Sequence, residues 1–324
     1  MKKKAVVIGG YGHIGSYLVP RLIKEGGYDV TVISRGIKKP YTSDDPAWER
    51  VHHITCDRLA MAAERKFGKM IAEMQPDLIF DTVSYTREQM EELCEPVLAD
   101  PAYAQKVKLI QIGSIWVYGY KIESPVTESQ VHNAVCDYGR GKTAIEEYLR
   151  GLSKAGKLNT TVLHPGHISG DGWYPINPQA NFNPQVYRHI IDGRELLLPN
   201  DGMATIHPVH ADDIAGLTMA VLANPDKSNG EAFNATSKYA VTLRGYAEGL
   251  YAYFGKEPRL SYLPFEQFSK AVSADDAVQT LEHISRSPNC SMENEEKFLS
   301  FIPKHSVLDT LVSAIEHKLR TGEL

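Results

Sequence analysis

Near its start the chain reads Lys4-Ala5-Val6-Val7-Ile8-Gly9-Gly10-Tyr11-Gly12-His13-Ile14-Gly15, and this stretch decides the fold. Ala5 to Ile8 is a short apolar run of the kind a buried strand carries. Glycines then recur every third residue, at 9, 12 and 15, and Leu18, Leu22 and Ile23 follow at helical spacing. Strand, glycine turn and helix in that order form a dinucleotide-binding unit. Without side chains the turn closes tightly, a pyrophosphate reaches the backbone, and the helix packs on the strand. The helix N-terminus then offers unpaired N–H groups and its positive dipole end to the phosphates. Gly9, Gly12, His13, Ile14 and Gly15 are the expected contacts.

Downstream, strand and helix patterns alternate. Strands are predicted over 29–35, 51–56, 77–81, 108–113 and 160–164, with helices through Met74, from Arg87 to Leu98 and from Tyr138 to Ser153. Continuous apolar strand cores fit a parallel sheet buried on both faces. The expected class is therefore α/β, a Rossmann-type doubly wound parallel sheet. Its dinucleotide-binding domain takes residues 1–165, with 208–235 returning to it. Residues 166–207 and 236–324 form a smaller, mainly helical C-terminal lobe for the substrate, and the Gly- and Pro-rich stretch 165–184 reads as a ligand lid. The second strand ends in Ser34-Arg35, where an acidic residue would meet the ribose of NAD. A hydroxyl followed by a guanidinium suits a 2′-phosphate, so NADP(H) is expected ahead of NAD(H). Asp57, after the third strand, is placed to meet an adenine amino group.

Composition narrows the class further. Over 324 residues the chain is 43% hydrophobic and 23% charged, with a net charge of -5. That is an ordinary globule, and its acidity argues against nucleic acid as a bulk electrostatic partner. No apolar run approaches the ~20 residues of a membrane span. Lys2 to Lys4 lead straight into a strand, with no signal peptide pattern. The four cysteines, at 56, 94, 136 and 290, show neither metal-ligand nor disulfide spacing, which fits a reduced, cytoplasmic chain.

The chemistry centres on Tyr138 and Lys142, which fall on one helix face. A nearby ammonium would lower the phenol's pKa from ~10 toward a working range. Such a tyrosine exchanges a proton with a carbinol oxygen while a nicotinamide exchanges hydride, and Ser114 supplies a hydroxyl to the same oxygen. His164, His167, His207 and His210 match no metal-ligand motif, and no metal is expected. Asp212 and Asp213 read as caps of the helix that follows them.

Nearly the whole chain resembles the extended short-chain dehydrogenase/reductases, also called the NAD-dependent epimerase/dehydratase family. Gly9 to Gly15 is similar to its Gly-x-x-Gly-x-x-Gly turn, and Ser114-Ile115-Trp116-Val117-Tyr118-Gly119 to its Ser/Thr-x-x-Val-Tyr-Gly segment. Tyr138 and Lys142 resemble its catalytic pair, and Val209 to Ala215 its Val-His-Val-x-Asp-Leu-Ala segment. The resemblance implies a triad of Ser114, Tyr138 and Lys142, with Lys142 also holding the nicotinamide ribose. It also implies a homodimer built on the two long helices after the fourth and fifth strands. The departures are informative. Where the family's dehydratases carry an acidic pair, this chain has Ile115 and Trp116. Its diphosphate-clamping arginine falls at Ile206, and its Arg and substrate Asn at His164 and His167. A smaller, sugar-like substrate without a diphosphate is therefore expected, contacted by Trp116, His167 and Trp173. The leading expectation is an NAD(P)-dependent oxidoreductase. The alternatives are a sugar or sugar-nucleotide epimerase with tightly held cofactor, and a non-catalytic dinucleotide-sensing or RNA-binding relative.

Overall fold

The computed structural model describes residues 2–324. Seven parallel strands form the main sheet: β1 (Lys4–Ile8), β2 (Asp29–Ser34), β3 (His52–Thr55), β4 (Leu78–Asp81), β5 (Lys108–Ile112), β6 (Asn159–Pro165) and a last strand, Glu231–Ala235. From one edge the order is Glu231–Ala235, β6, β5, β4, β1, β2, β3. The chain thus leaves β1 toward β2 and β3, then comes back to pair β4 on the other side of β1. Reversal of direction opens a crevice beyond the carboxyl ends of β1 and β4, where ligands of doubly wound sheets bind.

Alternation along each strand splits the apolar residues between two faces. Ala5 and Val7 of β1 join Val30, Val32, Phe80 and Ile110 on one side, under the helix α1 (His13–Lys24). Val6 and Ile8 join Ile33, Ile79 and Leu109 on the other, under the helices Arg87–Leu98 and Asp137–Lys154. A further core lies among the helices Gln185–Ile191, Leu243–Tyr253 and Val307–Arg320, filled by Tyr187, Tyr246, Tyr251, Leu311 and Ile315.

Several local expectations need correction. The helix predicted through Met74 is two helices, Arg58–Ala63 and Phe67–Met74, broken where Arg65 takes φ +52°. The second piece is steered by packing, since a Cβ on Gly68 would lie 2.1 Å from the Glu92 carbonyl oxygen. The stretch read as an irregular lid holds a strand, His167–Ser169, paired with Pro208–His210. A helix at Glu293–Leu299, hidden by its run of acids, was not anticipated; those acids occupy the first turn, which the helix dipole favours. Among the described residues no helix is long and apolar enough to cross a membrane.

Candidate active site

The glycine turn is shaped by close approach of main chain. Gly9 sits at φ +83° and donates its N–H to Ile33 O at 2.8 Å, which ties the turn to β2. A Cβ on Gly15 would lie 2.2 Å from Gly10 O, so the first turn of α1 rests directly on the loop before it. Gly12 differs. A Cβ there would meet only Gly9 O at 3.0 Å, and the residue begins α1 with no side-chain cap. Its flank and the first N–H groups of α1, those of His13 and Ile14 among them, are left for an anion. Trp173 stacks on the His13 ring at 5.1 Å, and Tyr41 meets that ring edge-on. Trp173, expected beside a substrate, instead packs on the first residue of α1, next to the glycine turn.

At the end of β2, Ser34 Oγ lies 2.8 Å from His53 Nε2 and accepts the Gly36 N–H. Arg35, Lys38 and Lys39 follow as exposed cations. The exposed Asp57 spends Oδ1 on the N–H groups of Leu59 and Ala60, capping the helix Arg58–Ala63.

Helix Asp137–Lys154 brings the proposed triad together. It approaches closely because its first turns are glycine-rich: a Cβ on Gly141 would lie 2.2 Å from Tyr85 O, and one on Gly139 2.7 Å from Trp116 O. Glycine costs a helix interior about 1 kcal/mol each, so packing must offset the loss. Lys142, 2% exposed, donates to the carbonyls of Ser84 and Ile112, both at 2.7 Å. These carbonyls follow β4 and end β5, so the lysine fastens the helix to the crevice.

Its ammonium lies 5.8 Å from the Tyr138 ring centre. The expected fall in the phenol's pKa is not found. Exclusion of water from part of the side chain raises it above 10.0, opposed by the neighbouring Ser114 hydroxyl. Burial instead lowers Lys142 to about 8, with Asp81 opposing the fall. The Lys142 ammonium is engaged by the carbonyls of Ser84 and Ile112, and burial rather than its charge governs the Tyr138 phenol.

Behind Ser114 stands a network the sequence did not reveal. His164 Nδ1 lies 3.2 Å from the Ser114 N–H and 3.1 Å from its carbonyl oxygen. His164 Nε2 is 2.8 Å from Glu146 Oε2, and both residues are buried. His132 Nε2 lies 3.7 Å from the same oxygen, and Arg150 3.4 Å from Oε1. Burial would raise the Glu146 pKa, yet its partners, His164 foremost, bring it to about 2. Ligand atoms of His132, Glu146 and His164 fall within 4.8 Å of one another. Arg150 already balances this carboxylate, which marks the group as an ion-paired brace.

The other histidines separate. His207 accepts the Cys290 N–H at Nδ1, and its Nε2 lies 2.8 Å from Ser237 O. His210 caps the helix Ala211–Ala223 by accepting the Asp212 N–H. That corrects the reading of Asp212 and Asp213 as caps. Asp212 pairs with Arg21 of α1, and Asp213 accepts the N–H groups of Lys304 and His305. His167 reaches a small, partly enclosed hollow that Ile115, Trp116, His283 and Arg286 also line. The Trp116 ring stands 6.2 Å from that of Tyr138, so the hollow adjoins the triad. His283 and Arg286 belong to the helix Ala274–Arg286 and carry no local motif; nothing in the sequence marks them.

Residues 5–236 match the family described as "NAD dependent epimerase/dehydratase family". The 2′-dehydrokanamycin reductase of Streptomyces kanamyceticus is 23% identical over 279 residues, covering 86% of this chain and 72% of that protein. The chloroplast stem-loop binding protein of 41 kDa b of Arabidopsis thaliana is 27% identical over 252 residues, covering 76% and 62% respectively. Among solved structures, the UDP-glucuronic acid 4-epimerase of Bacillus cereus in complex with NAD superposes with a TM-score of 0.73 at 18% identity, over 98% of this chain and 99% of that one. The family match spans the sheet, the glycine turn and the helix of Tyr138 and Lys142, and on it the chain belongs to the NAD dependent epimerase/dehydratase family, as a nicotinamide-dependent enzyme of the extended short-chain dehydrogenase/reductase type.

Proposed function

We propose that the chain is an NADP(H)-dependent oxidoreductase interconverting a carbinol and a carbonyl in a small, sugar-like substrate. The observation that carries this is the convergence of Ser114, Tyr138 and Lys142 at the carboxyl ends of β4 and β5, next to the glycine turn. A bound nicotinamide supplies the hydride donor or acceptor. Tyr138, a neutral phenol at rest, gives its proton to the carbonyl oxygen during reduction, and its phenolate takes the proton of the substrate hydroxyl during oxidation, while Ser114 donates a hydrogen bond to the same oxygen. Lys142 uses its two carbonyl contacts to hold the helix and keeps a third N–H for the nicotinamide ribose. Tyr138→Phe should lower turnover by about a thousandfold or more, in the range expected for a lost acid–base group, with dinucleotide affinity unchanged. Full activity without the phenol would refute the assignment.

The preference for NADP(H) is supported by Ser34, by the lack of an acid after β2, and by the exposed Arg35, Lys38 and Lys39. Arg35→Ala should weaken NADP(H) and spare NAD(H); equal weakening of both would exclude a 2′-phosphate contact. The absence of an arginine at Ile206 and the limited room of the hollow beside Tyr138 support a substrate smaller than a sugar nucleotide.

An epimerase is the second reading, favoured by the likeness to a solved epimerase. It requires cofactor to co-purify and no net NADPH change during turnover. The acidic balance weighs against RNA binding; tight RNA binding at moderate salt would reverse that. Four free thiols fit a cytoplasmic enzyme. A homodimer through Arg87–Leu98 and Asp137–Lys154 is part of the proposal, with light scattering as its test.

A further inference from the structure

The hollow beside Tyr138 has an electrostatic character that its place in the fold does not require. Arg286 is 8% exposed, and its guanidinium lies flat over the Trp116 ring, 4.0 Å from the ring centre. Its Nη1 donates to Glu282 O at 2.5 Å, closing its own helix. Its Nε is buried and has no partner. Opposite, His167 accepts the His207 N–H at Nδ1, so in its neutral form the proton sits on Nε2. That Nε2 is also buried and unpartnered.

A buried donor without an acceptor costs free energy that an acceptor on a ligand would recover. Lys121 joins them in the lining, and among the described residues no acidic side chain lines the hollow. Polar groups around the lining are taken up elsewhere. His283 Nδ1 faces Gln279 O at 2.7 Å, the Lys121 ammonium donates to Ser287 O, and Glu128 is taken up by Asn234 N–H and Asn294. No acceptor within the protein completes Arg286.

We infer that the hollow receives a carboxylate of the substrate, held by Arg286 and His167 so that the adjoining carbinol carbon faces Tyr138. The inference rests on the proposed function and deepens it: the substrate is a small hydroxy or oxo acid of sugar-acid type. A planar carboxylate matches the guanidinium edge that Nε leaves open, and the Trp116 face keeps that edge in plane. The Nε2–H of His167 supplies a further bond to the same group. A neutral sugar leaves both donors unpaired, and an amino sugar adds repulsion from Arg286 and Lys121.

The experiment is calorimetric titration of the NADP-saturated protein with glucuronate, gluconate, glucose, glucosamine and glucose 6-phosphate. At least one of the two acids should bind about tenfold or more tighter than glucose, the advantage expected for a charge-assisted bidentate contact, and glucosamine should not bind. Arg286→Met should abolish that advantage, with Arg286→Lys retaining part of it, and NADP affinity serves as the check that each variant is folded. Because the comparison of acid with neutral sugar is made on the unaltered chain, a variant that fails to fold does not rescue the inference. Equal binding of glucose, preference for glucosamine or for the phosphate ester, or no binding by either acid overturns it. Turnover of a neutral sugar that depends on Tyr138 would sink this inference and leave the proposed function standing. Acid binding that depends on Arg286, with turnover indifferent to Tyr138→Phe, would do the reverse.

Discussion

The two ends of the crevice are built by different means. The cofactor end is one continuous turn in which main chain touches main chain, as where Gly15 lies on Gly10. The hollow beyond Tyr138 is assembled from Trp116, His167, His283 and Arg286, drawn from segments far apart in the chain. A site made by backbone approach tolerates no side chain and leaves its mark as glycine spacing. A site made by side chains from distant segments leaves no spacing at all, and its identity depends on which loops the fold brings together.

The largest effect separates two glycines of the same motif. A Cβ at Gly15 would lie 2.2 Å from a carbonyl oxygen of the main chain, which cannot swing aside. Gly15→Ala should cost several kcal/mol, at or above the usual upper range for single substitutions, and yield little folded protein. Gly12 has φ -79°, where alanine is comfortable, and only a 3.0 Å contact to relieve. Gly12→Ala should therefore melt near the parent temperature while dinucleotide affinity falls on the order of 100-fold, the consequence of a methyl group in the phosphate path. Normal affinity in the folded Gly12→Ala protein would mean that the pyrophosphate lies elsewhere.

A second contrast concerns two buried glutamates. Glu146 is drawn down to about 2 by its partners, whereas Glu295 is pushed up to about 10, by burial first and by the neighbouring Glu128 next. The signs oppose each other in the dependence of stability on pH. Glu146 contributes stability that is present above 4.5 and lost as pH falls toward about 2. Glu295 holds a proton in the folded chain that it releases when unfolded, so its cost grows from pH 4.5 upward and levels off near 10. Glu295→Gln removes that proton uptake and keeps the shape. In urea titrations at pH 8.5 the variant should be more stable than the parent by on the order of a few kcal/mol, since each pKa unit corresponds to about 1.4 kcal/mol. At pH 5.5 the gain should be small. A gain independent of pH would show that Glu295 is ionised in the folded chain.

These contrasts explain what the sequence reveals. The strands are legible because burial on both faces demands unbroken apolar runs, as in Leu78-Ile79-Phe80. Tyr138 and Lys142 are legible because one helix turn links them. The break at Arg65 is not, since it is imposed by the packing of Gly68 on the Glu92 carbonyl. Nor is the fate of Asp212, whose partner Arg21 lies 191 residues away. The two-, three- and four-residue strands outside the main sheet lack the length to set up a pattern. The electrostatics are hidden for the same reason: spacing places Lys142 beside Tyr138, but the carbonyls that engage it come from the loop after β4 and the end of β5.

The smallest effect lies behind Ser114, where His164 joins the two kinds of construction. Its Nδ1 serves the main chain of Ser114 and its Nε2 serves Glu146, so each half of the ring can be replaced separately. Asparagine mimics the Nδ1 side of the ring, and glutamine the Nε2 side. His164→Asn should keep Ser114 in place and nearly preserve kcat, but leave Glu146 short of a partner at a cost of about 1–3 kcal/mol in stability. His164→Gln should keep the Glu146 contact and free the Ser114 backbone, lowering kcat about tenfold, equivalent to about 1.4 kcal/mol of transition-state energy, with KM and dinucleotide affinity unchanged. The opposite assignment of the two losses would make His164 a purely structural replacement for an ion pair. Equal losses in both variants would mean that Glu146 reaches Ser114 through the helix it shares with Tyr138, because only a path that bypasses the ring is blind to which nitrogen is kept.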